Sequence, residues 1–125
     1  MARKRSEIDP EEMKLHQFVP YTMVALLYVG GNARKASIVE RVGEMLKDQL
    51  KPADWKLMYN GPNGQDYAPN GYTGKTWPVW VGKVNYSFKF ARLEGLIVPD
   101  NGMHTFTPEG MKYVALLAEN WLRER

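Results

Sequence analysis

The chain has 125 residues, 44% of them hydrophobic and 25% charged, which suffices for one buried core and is short for two domains. It has no cysteine and only two histidines, His16 and His104, so a disulfide framework and a thiolate zinc site are excluded and no metal or other cofactor is expected. The net charge of +3 and the pI of about 9.1 say little alone, because the placement of the cations matters more than their sum.

The longest apolar run, Met23 to Val29, is far below the roughly 20 residues that span a bilayer, and no charged-then-apolar leader opens the chain. A soluble cytoplasmic protein without a membrane partner is expected, nucleoid-associated when bound to DNA.

In chain order, residues 1–8 are basic at Arg3, Lys4 and Arg5 and lack apolar periodicity, so they read as a disordered arm. Such an arm can enter a minor groove, although a frayed, solvated terminus has the same composition. Residues 9–125 read as one domain. Asp9, Pro10, Glu11 and Glu12 have the composition of a helix start. Pro20 is expected to restart or kink that helix, Met23, Leu26 and Leu27 give it an apolar stripe, and Gly30-Gly31 ends it.

Ser37-Ile38-Val39-Glu40 matches a capping box, and Ile38, Val42, Met45 and Leu46 follow at helical spacing. Pro52 to Met58 reads as a brief helix. Residues 59–76 are so rich in Gly, Pro and Asn that they predict a long loop, functional or disordered.

Helical periodicity returns at Trp77 and runs to Glu94, with Val81, Val84, Phe88 and Ala91 expected to face the core. Lys83, Asn85, Lys89 and Arg92 are then expected on the other side. Between Gly74 and Leu93 the cations Lys75, Lys83, Lys89 and Arg92 occur without an acid. Residues 97–106 form a predicted hairpin around Asn101-Gly102, because both central positions of a type I′ turn need positive φ. Thr107-Pro108-Glu109 caps a last helix over about 108–123, with Met111, Val114, Ala115, Ala118 and Leu122 on one face.

A helix followed at once by a two-stranded ribbon is the core of a winged helix-turn-helix. The fold expected is therefore mostly α with a small β-wing. Lys75, Lys83, Asn85, Lys89, Arg92 and Asn101 are the candidate DNA-binding residues, with Arg3, Lys4 and Arg5 from the arm. A charged stripe is also what any solvated helix face carries, and its position beside the wing favours DNA.

The motifs Leu26-Leu27 before Gly30-Gly31, Ala33-Arg34 leading into Ile38-Val39-Glu40-Arg41-Val42, Val84 through Ala91 before Glu94-Gly95-Leu96-Ile97, and Thr105-Phe106-Thr107-Pro108-Glu109-Gly110 resemble the N-terminal winged-helix domain of Mrr-type restriction systems. The resemblance runs from about Phe18 to Tyr113. It implies an accessory DNA-binding module of the kind attached to a nuclease domain. No PD-(D/E)xK core is recognisable, so cleavage is not implied, and the loop before Trp77 is longer than the corresponding family segment.

The expected function is thus double-stranded DNA binding without catalysis, as a small regulator of transcription or the DNA-targeting module of a restriction-like system. The alternative is a protein-interaction module. The last helix has apolar residues beyond one stripe, and Tyr113, Leu117 and Trp121 are candidates for a homodimer interface. Trp55, Tyr59, Tyr67, Tyr72, Trp77 and Trp80 could stack a displaced base, but fastening a long loop to its own domain explains them with less machinery. Gly74-Lys75-Thr76 lacks the first glycine and the preceding strand of a phosphate-binding loop.

Overall fold

The apolar positions of three segments recur at helical spacing, and burying them together fixes the architecture. Phe18, Met23 and Leu26 come from α1 (Leu15–Tyr28), Ile38, Val42 and Leu46 from α2 (Lys35–Leu46), and Val84, Phe88 and Ala91 from α3 (Val79–Leu93), all at most 2% exposed. Val114 of α4 (Pro108–Arg123) closes this core from the C-terminal side. The structure, a computed structural model, describes residues 10–123, with side chains through Asn120.

The helices make up about half of the described residues, and two small antiparallel sheets of three strands each complete an α/β fold. In the first sheet β1 (Asn32–Ala33) pairs with β6 (Met103–Phe106), which pairs with β5 (Ile97–Asp100). The β5–β6 turn is as expected, since Asn101 has φ 50° and Gly102 φ 79°, values that asparagine and glycine adopt at least cost.

The second sheet is the main departure from the sequence reading, which made residues 59–76 a loop and the fold mostly α. Here β2 (Leu57–Gly61) pairs with β3 (Gly64–Tyr67) in a register running from Met58↔Tyr67 to Gly61↔Gly64. β4 (Trp77–Pro78) lies on the other side of β2, with Met58 opposite Trp77. Met58 is fully buried, so an apolar anchor and cross-strand pairing outweigh a composition that disfavours regular structure. Tyr59 also meets Tyr72 edge-on at 4.8 Å, and Trp55 meets Trp80 at 5.6 Å. Tyr59 and Tyr72 thus pack on each other within the segment, and the Trp55–Trp80 contact joins its flanks.

Several boundaries move for identifiable reasons. The N-cap of α1 is Lys14, whose N–H donates to Gln17 Oε1 at 2.7 Å, and Glu11 and Glu12 lie before the helix, where Lys51 and Lys83 engage them. Asp9 lies outside the described residues. Pro20 falls inside α1, which continues through it. α2 begins at Lys35, so Ser37 sits in its first turn and caps nothing. Pro52–Trp55 is a 3₁₀ turn, and Leu57 and Met58 have joined β2.

The packed face of α4 is set by Gly110, Tyr113, Val114 and Leu117, while Met111, Ala115 and Ala118 are exposed. The cause is a close approach: a Cβ on Gly110 would lie 1.9 Å from the Leu96 carbonyl oxygen. Only glycine lets α4 sit this near the end of α3, and that fixes its rotation. Its N-cap, Thr107, accepts the Gly110 N–H at 3.0 Å, as the sequence predicts.

Candidate nucleic-acid interface

α3 starts where β4 ends, with Val79 N–H donating to the Lys56 carbonyl at 2.9 Å. Trp77, expected as the first helical residue, is therefore in a strand. Along α3, Trp80, Lys83, Val84, Ser87, Phe88 and Ala91 are buried, whereas Lys89 and Arg92 are exposed and Val81 and Asn85 half-buried. A buried hydroxyl pair, Thr22 with Ser87 at 2.7 Å, ties α3 to α1.

Lys83 does not belong to the outward face. Its residue exposure is 4%, its ammonium lies 2.8 Å from Glu12 Oε1, and it also donates to the Met13 carbonyl. The Tyr67 hydroxyl donates to the other Glu12 oxygen. The reason is rotational, because at 3.6 residues per turn Lys83 and Asn85 are about 200° apart around the helix. Lys83 shares the stripe of Ser87 and Trp80, and this cation holds the chain before α1 onto α3. Val81, expected in the core, is half-buried: it packs against the core and also reaches the edge of the outer face.

The remaining predicted residues of this segment do converge. Lys75, Asn85, Lys89 and Arg92 line one groove of about 570 Å³ between α3 and the β2–β3 hairpin. No carboxylate lines it, and none of Lys75, Lys89 and Arg92 forms an ion pair with another described residue. The opposite wall carries Asn60 and Gln65, which face each other directly across β2 and β3. Trp77 and Tyr86 add aromatic surface.

Asn101 is exposed at the tip of the β5–β6 hairpin that follows α3. On that hairpin His104 stacks on Phe88 with ring centroids 4.7 Å apart. Burial first, then the charges of Arg92 and Lys35, hold His104 below the usual histidine range. Lys35, whose ammonium stands 5.8 Å from the centre of the Phe88 ring, thus extends the cationic rim from α3 to the start of α2.

Sequence reasoning missed Lys35, Asn60, Gln65 and Tyr86. The first lay outside the cationic segment and the next two in a supposed loop. Tyr86 was legible, being next to Asn85 and at i−3 from Lys89 on the same helix. Arg3, Lys4 and Arg5 lie outside the described residues, as does the Trp121 side chain. Tyr113 and Leu117 are half-buried, and Tyr113 packs on the core of its own chain, where burial raises its pKa. The more exposed apolar side chains of α4 are Met111 and Leu116.

Among the described residues no group of histidine and carboxylate side chains could hold a metal ion, and no helix is long and apolar enough to cross a membrane. Comparison with protein-family models, with curated proteins and with solved structures returned no match.

Proposed function

We propose that the chain is a double-stranded DNA-binding protein of the winged helix-turn-helix type, with α3 entering the major groove and the β5–β6 hairpin lying on the flanking phosphates. The observation that carries this reading is the convergence of Lys75, Asn85, Lys89 and Arg92 on one face free of carboxylates, beside a hairpin. The element order supports it as well: three helices, with β1 between the first two, precede the hairpin, and β1 completes its sheet. In this reading the cations neutralise phosphates, Asn85 reaches a base edge, and the exposed Asn101 turn meets the backbone. The protein acts without catalysing a reaction, as a small regulator or as the targeting module of a restriction-like system related to the Mrr type.

Fluorescence anisotropy with a labelled duplex tests it. Three phosphate-neutralising cations predict that log K falls with log salt with a slope of about −2 to −3. The Lys89→Glu, Arg92→Glu double variant should lose binding while remaining folded. A flat salt response, or unchanged binding by the folded double variant, would overturn the reading.

A second reading, docking of a protein partner or a second copy on α4, is favoured by Leu116 and Met111, which are 63% and 49% exposed. Light scattering at high concentration tests the homodimer version. A monomer there rejects it.

A further inference from the structure

Phosphate contact by itself asks only for cations on an accessible surface. The groove beside α3 offers more. It is concave, and its volume of about 570 Å³ lies within the range of about 300–1,000 Å³ typical of small-ligand sites, room enough for one nucleotide.

Besides the cations Lys75, Lys89 and Arg92, its polar lining includes three carboxamides. Asn60 and Gln65 are directly opposed across β2 and β3, so their side chains project from the same face of the hairpin, and Asn85 lines the groove from α3. Gln65 Oε1 is buried and has no hydrogen-bond partner among the described residues. A carboxamide presents a donor and an acceptor side by side, the pattern of a nucleobase edge. A buried acceptor without a partner gains most from a ligand that supplies an N–H.

The aromatic lining suits the face of the same ligand. Trp77 shares the hairpin's groove-side face, because it is opposite Met58 and Met58 is two residues from Asn60. Tyr86 faces the groove from α3. Stacking on such rings needs a base that has left the double-helical stack, since paired bases show only their edges.

We propose that this groove captures a single unpaired nucleotide, its base against Trp77 and Tyr86, its edge toward Asn60, Gln65 and Asn85, and its phosphate toward Lys75 and Lys89. The proposal rests on the DNA-binding reading of α3 and deepens it. The groove opens on the face that holds Lys89 and Arg92, so a nucleotide displaced from a bound duplex has a short path into it. A free nucleotide offers the same chemistry.

The test uses the full chain and two labelled duplexes that differ only by a one-nucleotide bulge. Wild type should bind the bulged duplex at least ten-fold more tightly. Gln65→Ala should remove most of that preference, affinity for the bulged duplex falling by more than that for the paired one, with the thermal midpoint unchanged; a preference that Gln65→Ala leaves intact overturns base capture. On the wild-type protein, millimolar dAMP should compete selectively for the bulged duplex, and inorganic phosphate should not. Competition by dAMP shows that the groove accepts a free nucleotide; a persistent bulge preference that dAMP does not affect restricts it to a nucleotide held in a strand. Equal affinity for both duplexes, or competition by phosphate as effective as that by dAMP, overturns base capture and leaves duplex binding standing. Binding of neither duplex overturns both.

Discussion

The Lys83 ammonium and the Glu12 carboxylate form an ion pair at 2.8 Å with side chains 5% and 1% exposed. It joins the segment before α1 to the inner face of α3, and the Tyr67 hydroxyl extends it to β3. Three distant parts of the chain therefore meet at one carboxylate. Nearby, buried Asp54 accepts the Met13 N–H at 2.8 Å and the Lys51 N–H at 3.0 Å, holding the same segment from the other side.

Removing one partner of this pair leaves a buried charge uncompensated, whereas removing both does not. Lys83→Met and Glu12→Gln should each cost about 3–5 kcal/mol of stability, and the Glu12→Gln, Lys83→Met double variant should cost clearly less than the sum. Urea denaturation of the four proteins checks this. Additive losses would mean that the two groups are not coupled.

Lys89 should behave in the opposite way. It is exposed and makes no ion pair with a described residue, so Lys89→Ala should change stability by no more than about 0.5 kcal/mol. The slope of log K for duplex DNA against log salt should become shallower by about 0.9. Thermal unfolding and anisotropy on the same sample separate this lysine from Lys83.

Gly110→Ala places a methyl group against the Leu96 carbonyl, where an ideal Cβ would lie 1.9 Å away. Because the obstacle is backbone, α4 must shift, and the loss should be about 1–3 kcal/mol or more. A thermal midpoint equal to that of wild type would show that α4 is not held at this distance.

His104 predicts a pH dependence. Its pKa is lowered by burial and by Arg92 and Lys35, so below about pH 6.5 the unfolded chain binds a proton that the folded chain resists. The associated stability is present above that pH and is lost as pH falls through the lower, folded-state pKa. His104→Phe, which can keep the stack on Phe88, should flatten the fall in thermal midpoint between pH 7 and pH 5 relative to wild type. Parallel curves for the two proteins would remove His104 as the source.

Local chemistry determined much of this protein. The stripe of Val84, Phe88 and Ala91 gives α3 from periodicity alone, Asn101-Gly102 gives the β5–β6 turn because few residues accept positive φ, and Thr107 caps α4 through an oxygen three residues from the N–H it accepts. Each of these signals is contained within one or two turns of chain. Four of the predicted α3-side residues, Lys75, Asn85, Lys89 and Arg92, were likewise legible as an acid-free set, and they line one groove.

Tertiary structure alone decided the rest. Met58 is buried and Asn60 faces Gln65 only because β2 found β3 and β4, and strand pairing is not encoded in a Gly- and Asn-rich composition. Lys83 has the same chemistry as Lys89, yet one is a buried strut and the other an exposed cation. What separates them is the angle around α3 and a carboxylate that lies far away in sequence. Periodicity supplies a helix's faces, but the fate of a charge on its border depends on what packs there, since burial is costly without a partner and stable with one.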